Sequence, residues 1–330
     1  MSYELDSWGG SLPTSSSTTA FTTYRNYVED LERIISLEYG PLDARHAAIV
    51  AAFQDMPLAA KLGKRNLSTG TLQEVRQSLE RSWGMLRACW MPLEFDAYVT
   101  EFNASVPITV YYATYHAALA AIAATNHRGN SSHRTTLNEL STIVSKKLLP
   151  WPWSTQCTGP DVQDEFVFIG FRGDISAVSP LQGLSDGELT NRLGAMLKTT
   201  RKKELDRRFV ERRKSLQKSN RKNLTRTEKT HIPASTVETT VFDVLYRIRK
   251  KANYEGSDDF VLGPSGSSDA RRFGASLIHV ADASVVALEA LVDRAIGKDM
   301  VWKWLREYSA RSGSAIALVR HIEALAPSRK

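Results

Sequence analysis

Apolar residues recur at spacings of three and four over most of the chain, a period that predicts helices rather than strands. The firmest helix starts at Thr71. Thr71-x-x-Glu74 has the form of a capping box, and Leu72, Val75, Leu79, Trp83, Leu86 and Trp90 follow on one face before Pro92 ends the run. Ser105 reads as the cap of a second helix with Pro107 in its first turn. Its expected buried stripe is Ile108, Tyr111, Tyr112, Tyr115 and Leu119, and the Ala-rich stretch 117–124 lets a neighbouring helix come close. A third helix from near Arg134 carries Leu137, Leu140, Ile143 and Leu148 up to Pro150. Ahead of these, residues 24–37 predict a short helix that breaks at Gly40-Pro41.

Beyond Pro150 the pattern changes. Trp151-Pro152-Trp153 and the loop through Pro160 are irregular, and Phe166–Phe171 is short, aromatic and β-branched, as a strand or buried extended arm would be. Ser185-x-x-Glu188 opens a helix with a thin apolar stripe: Leu189, Leu193, Met196, Leu205, Phe209 and Leu216. Helical order returns at Ser235, where Ser235-x-x-Glu238 has capping-box form and Val241, Leu245, Ile248 and Ala252 follow. After a loop holding Gly256, Gly263, Pro264 and Gly266, a long helix carries Phe273, Leu277, Val280, Ser284, Leu288, Leu291 and Ala295 and closes near Gly297. Two shorter helices, over 301–308 and 315–325, complete the pattern. Striped helices with almost no strands predict an all-α protein built as a helical bundle.

Composition adds bounds. With 42% apolar and 24% charged residues, the chain can bury a sizeable core. Cys89 and Cys157 are its two cysteines, too few for a disulfide framework or a cysteine-rich metal site, and suited to a reducing cytoplasm. No continuous apolar run of membrane-spanning length is visible. Residues 1–23 are rich in Ser and Thr and read as a disordered polar tail rather than a secretory signal. No phosphate-binding Gly-rich loop, His-Glu-x-x-His or paired CxxC occurs, so neither metal nor cofactor is expected. Asp258-Asp259 reads as a pair of solvated turn residues. Trp151, Trp153, Trp302 and Trp304 are expected to seal the bundle ends; if exposed, they would stack on bases.

Charge sharpens the functional reading. Residues 198–229 hold 14 Lys or Arg and 4 Asp or Glu, a local +10 in a chain of net +7, so the remainder carries −3. Such an island attracts polyanions by releasing their condensed counterions, and RNA is the expected partner. Arg201, Lys202, Lys203, Arg207, Arg208, Arg212, Arg213 and Lys214 are the candidate contacts. A solvated charged helix without a partner is the bland alternative.

Two further stretches carry a family resemblance. Tyr111-Tyr-Ala-Thr-Tyr-His-Ala-Ala118, followed by His133-x-x-x-Leu137, resembles the Tyr-Tyr-Ala-x-Phe-His-Ala-Ala helix and next helix start of one branch of the HEPN family (higher eukaryotes and prokaryotes nucleotide-binding domain). Leu245-Tyr-Arg-Ile-Arg-Lys-Lys-Ala-Asn-Tyr254 resembles that branch's Leu-Tyr-x-x-Arg-x-x-Ala-Asp-Tyr. The resemblance covers residues 70–150 and 235–296. It implies an up-and-down helical bundle into which 151–234, with its long basic helical segment, is inserted, leaving 24–150 and 235–330 as the bundle's two parts. Many HEPN proteins are metal-independent endoribonucleases, often toxins or antiviral defence effectors. The resemblance therefore implies a homodimer acting on RNA, with a cognate antitoxin or other protein as a further partner.

The family's ribonuclease site is an Arg followed four to six residues later by His. Arg249 matches the Arg; no His follows in that window, and Asn253 stands where the branch has Asp. Cleavage at a 2′-hydroxyl needs one group to take a proton, one to return it and a cation for the phosphorane. Arg249 fits the last role through its bidentate fork. Asn253 can orient a phosphate or water, and Tyr254, with a reference pKa of about 10, is a weak base. His116 faces the same groove if its helix packs on that of Arg249, and otherwise is a hydrogen-bonded core histidine. His133 is the other candidate, ending the loosely fitting Arg128-x4-His133, and otherwise a helix-start residue. Two rivals to the nuclease remain: a non-catalytic HEPN-like RNA-binding module, and an assembly subunit whose basic helix docks on an acidic protein.

Overall fold

A thirty-residue helix, Ser267–Ile296, is buried on nearly every face, and the other helices are arranged to cover it. The computed structural model describes residues 15–54, 56, 62, 67–90, 102–125, 132–159, 167–172, 175–177, 185–217, 223–297, 299–312 and 316–326. In chain order these form α1 (Ser15–Tyr39), α2 (Leu42–Gln54), α3 (Thr69–Trp90), α4 (Val106–Ala124) and α5 (His133–Ser145). Next come β1 (Gln156–Thr158), β2 (Val167–Arg172), β3 (Ile175–Ala177), α6 (Ser185–Gln217), α7 (Arg226–Ala234) and β4 (Thr239–Thr240). The chain then forms α8 (Val241–Lys250), which runs into a π-helical turn (Lys251–Glu255), then α9 (Asp258–Val261), α10 (Ser267–Ile296), α11 (Met300–Ser312) and α12 (Ile316–Leu325). The fold is all-α, a helical bundle with one small antiparallel sheet of order β3-β2-β1-β4, in which Cys157 lies opposite Phe168 and Thr239.

Helices α1, α2, α3, α4 and α11 all pack on α10. Its expected stripe is buried throughout, and so are most residues between. Both α4 and α10 are apolar and long enough to cross a membrane by composition. They are bundle interior instead, with 72% and 89% of their most apolar windows buried. Neither stands out as a continuous apolar run in the sequence, because Ala, Ser and Gly dilute the apolar residues without making the helix polar.

Several local expectations are corrected. The polar stretch before Thr23 is helical from Ser15, and Phe21, Tyr24 and Val28 enter the core; residues 1–14 lie outside the described ones. Helix α2, with no strong amphipathic stripe, was missed. The cap of α3 is Ser68, whose Oγ accepts from the Thr71 amide at 3.1 Å, so Thr71 sits inside the helix. Pro92 lies outside the described residues. Ser105 precedes α4, yet its hydroxyl bonds back to the Phe102 carbonyl instead of capping. The deepest face of α4 is Val110, Ala113, Thr114, Ala117 and Ala121, because small side chains let α3 and α10 close in; Ile108, Tyr112, Tyr115 and Leu119 are only half buried. Ser235 ends α7. The working capping boxes are Thr225 with Glu228 and Thr240 with Asp243. Trp153 is fully buried and donates to Ser284 Oγ at 2.9 Å, whereas Trp151, Trp302 and Trp304 are half buried.

The inserted segment is part of the core along one edge. Leu189, Leu193, Met196, Leu197 and Leu205 of α6 are buried, and α6 packs on α1 and α8. Arg201 lies on that buried edge. It is 0% exposed, and its guanidinium donates to the carbonyls of Gly159 (2.7 Å), Val237 (2.9 Å), Pro233 (3.2 Å), Thr236 (3.4 Å) and Cys157 (3.5 Å). The arginine thus joins the end of β1 to the link between α7 and β4, and its expected role as an RNA contact is corrected. An isolated buried cation is costly, but one fully bonded to carbonyls becomes costly to remove. Arg201→Ala should lower unfolding free energy by about 3 kcal/mol in urea titration. Lys203→Ala, on the exposed face, should stay within about 0.5 kcal/mol of the parent; equal effects would refute the clamp.

Candidate functional site

Three helices bring the candidate residues to one place. Helix α4 supplies Tyr111, Tyr112, Tyr115 and His116. Helix α5 begins at His133, after the Ser132 hydroxyl accepts from the Thr135 amide at 3.1 Å. The last turn of α8 supplies Tyr246 and Arg249, and the π-helical turn carries Asn253 and Tyr254. Such turns offset the helical register by one residue and are frequent at functional sites.

Arg249 is buried at the centre. Its Nη2 donates to Tyr112 Oη at 3.1 Å and, more weakly, to Tyr254 Oη at 3.5 Å. The guanidinium carbon lies 5.1 Å from the Tyr254 ring centroid, 5.5 Å from that of Tyr112 and 5.8 Å from that of Tyr111. Among the described residues no carboxylate pairs with it, and its buried Nε has no partner. An arginine cushioned by π faces keeps its full charge for an incoming anion.

His133 stands beside it, enclosed by tyrosine rings. Its Nδ1 is 3.0 Å from Tyr111 Oη, and its ring centroid is 4.7 Å from that of Tyr115. Burial, and then the Arg249 charge, hold its pKa below the ordinary 6.5. His116 lies 5.5 Å from Tyr115 between centroids, and its Nδ1 is buried without a hydrogen-bond partner. Burial, then Arg81 and His133, lower its pKa too. Burial pushes the Tyr111 phenol far up, so it stays protonated. Two neutral imidazoles and one unpaired guanidinium therefore share a tyrosine-lined site. Both thiols lie elsewhere and are inert, with burial raising Cys89 to about 12 and Cys157 to about 11.

Of the predicted site residues, Arg249, Tyr254, His116 and His133 come together. Asn253 is exposed on the turn, and Arg128 lies outside the described residues. Tyr111, Tyr112 and Tyr115 read as packing in the sequence, and Tyr246 only as part of the family-like stretch 245–254. Their repeated hydroxyls on helices bearing His and Arg were the signal available.

The basic helix is more neutralised than its composition suggests. Glu204 accepts from Arg134, Arg207 and Arg208; Arg207 also reaches Glu211, and Arg212 reaches Glu228 at 2.7 Å. Lys202, Lys203, Arg213 and Lys214 are exposed. The middle of α6 nears the site from one side, since the field of Lys203 reaches Glu255, the neighbour of Tyr254. Compared with family profiles, curated proteins and solved structures, the chain matches none of them.

Glu204 links the island to the site, because Arg134 follows His133 directly. Burial opposes the Glu204 charge, but three guanidinium partners outweigh it and hold its pKa at about 2, against an ordinary 4.5. Since the folded value is the lower, this ionisation stabilises the fold fully above pH 4.5 and less as pH falls toward 2. Glu204→Gln should flatten the acid limb of a stability–pH curve in that window. An unchanged limb would contradict the pairing.

Proposed function

We propose that this protein is a HEPN-like, RNA-directed endoribonuclease that works without a metal at the Arg249 site. The carrying observation is an arginine with no carboxylate partner among the described residues, held beside His133, with His116 packed on the neighbouring tyrosines and both histidines of lowered pKa. In the family pattern the His follows the Arg on one helix. Here α5 sets His133 beside that guanidinium and α4 sets His116 against Tyr112 and Tyr115, which supports a histidine from another helix standing in for the missing position after Arg249.

The chemistry follows from the contacts. In the tautomer whose Nδ1–H donates to Tyr111 Oη, His133 presents the Nε2 lone pair, which can take a proton from a 2′-hydroxyl. Arg249 balances the charge gathering on the phosphorane, and Tyr112 and Tyr254 aim its fork. His116 can return a proton to the leaving 5′-oxygen only as its imidazolium, the form that burial and the neighbouring charges of Arg81 and His133 disfavour. Tyr254, 69% exposed, offers a ring on which a flanking base stacks. Lys203, Arg213 and Lys214 extend the positive surface along the strand. Toxin or defence duty, a homodimer and an antitoxin partner go with this reading, as does a cytoplasmic setting.

A second reading, a non-catalytic RNA-binding module, is favoured by one observation: among the described residues no histidine bonds Arg249 or shares its helix. Incubation with labelled tRNA and single-stranded RNA in EDTA separates the two. Cleavage should fall by about 100-fold or more in Arg249→Ala and similarly in His133→Ala. Turnover indifferent to both variants would defeat the assignment. A salt-dependent gel shift without turnover would support the binding module.

The pH profile gives an independent check. A lowered His133 pKa keeps the imidazole neutral below its ordinary 6.5, so kcat/KM should hold on the acid side and fall only below that value. An acid limb above it would remove His133 as the base.

A further inference from the structure

Outside the Arg249 site, one cluster of ionisable groups is sealed in the bundle centre. His46 of α2, Asp282 and Glu289 of α10, and His321 of α12 are all 2% exposed or less. His46 Nε2 lies 2.7 Å from Asp282 Oδ2, and His321 Nε2 lies 2.8 Å from Asp282 Oδ1. His321 Nδ1 is 2.8 Å from Glu289 Oε2, and Trp83 of α3 donates its indole N–H to Glu289 Oε1 at 2.5 Å. The two imidazole centroids are 4.7 Å apart, and the three potential ligand atoms of His46, Asp282 and His321 lie within 4.8 Å of one another.

Proton counting exposes a difficulty. Both nitrogens of His321 face carboxylates, so both carry hydrogens and the ring is an imidazolium. His46 bonds Asp282 through Nε2, and its buried Nδ1 meets no acceptor that would hold a second proton. Two carboxylates and one imidazolium leave the sealed cluster at −1. Arg45 is buried nearby, but it donates to Ser36 Oγ and the Gly40 carbonyl, and its field is divided between Asp282 and Glu32. A net charge without a bonded partner is expensive in so dry a place.

We propose that His46, Asp282 and His321 bind one divalent first-row cation, zinc fitting best, with Glu289 as the outer carboxylate that orients His321. A dication in place of the His321 Nε2 proton brings the cluster from −1 to 0. One proton is released per ion bound, while His46 moves its own proton from Nε2 to Nδ1. Asp282 points one oxygen at each imidazole, so His46 Nε2, His321 Nε2 and one Asp282 oxygen supply three donors, and a water or the second Asp282 oxygen would complete four-coordination. Opening the two short contacts to about 3.4 Å would admit tetrahedral bonds of about 2.1 Å. The chain Trp83, Glu289, His321 is the support that metal-bound imidazoles normally have. Since α2, α3, α10 and α12 all contribute and no side chain is solvent-facing, the ion would enter during folding and then stay.

The test is to refold the untagged full chain from denaturant with and without zinc, remove loose metal by gel filtration, and count metal per chain. Retention of one zinc with a melting temperature several degrees higher is expected. Cobalt in its place should give the intense visible bands of a tetrahedral ion. His46→Gln keeps a donor for Asp282 yet lacks the imidazole, and Glu289→Gln removes only the outer carboxylate. The first should abolish the cobalt bands, and the second should weaken zinc affinity about 10–100-fold. Parent protein that refolds fully yet retains no metal would overturn the proposal, and so would metal retained equally by His46→Gln.

Discussion

The constraint that organises this molecule is that α10 must be covered on every side. A helix of that length, apolar around most of its circumference, cannot rest on a surface, so other helices have to meet it from several directions. The alanine face of α4 answers this need, because side chains without reach let three backbones share one volume. Density then leaves little room for polar groups. The carboxylates of Asp282 and Glu289 persist in it because each is bonded to a ring nitrogen from another helix. Dry surroundings make such contacts strong when satisfied and harmful when not.

Against this interior, the Arg249 site sits on the rim where α4, α5 and α8 converge. Its cation is stabilised by aromatic faces and hydroxyls instead of opposite charge. That choice separates it from Arg207, Arg208 and Arg212 of α6, which are held by Glu204, Glu211 and Glu228. It separates it also from Arg201, whose fork is filled by carbonyls. The same side chain therefore occurs as clamp, as neutralised surface charge and as unpaired centre, and only the neighbours distinguish them.

Much of this was legible in the chain. The stripe from Phe273 to Ala295 marked the central helix, and each of those residues is buried. Glycine after the stripe also marked its end, where Gly297 adopts φ 112°. Capping was less legible. Patterns of the form Ser/Thr-x-x-Asp/Glu occur at Thr71, Thr225, Ser235 and Thr240, and local sequence does not say which hydroxyls face a free helix end. Tyrosines on α4 read as core because a phenol satisfies both apolar spacing and site chemistry. The cluster of His46, Asp282 and His321 had no sequence signal at all, since its members are brought together only by helix packing. The charge run from 198 onward predicted the right helix but overcounted its free cations, because ion pairs within a helix and buried clamps look the same as solvated charge in a composition.

The order of synthesis adds a consequence to the central position of α10. Arg25 and Asp269, paired across α1 and α10, are 244 residues apart, and His46 and Asp282 are 236 apart. At translation speeds of about 5–20 residues per second, the first helices wait roughly ten to fifty seconds for the surface they are made to cover. During that interval Phe21, Val28, Ile35 and Ile49 have no permanent partner. A nascent chain with its apolar faces exposed for so long depends on temporary shelter, and its ribosome-bound stage, more than its finished fold, sets the exposure to aggregation.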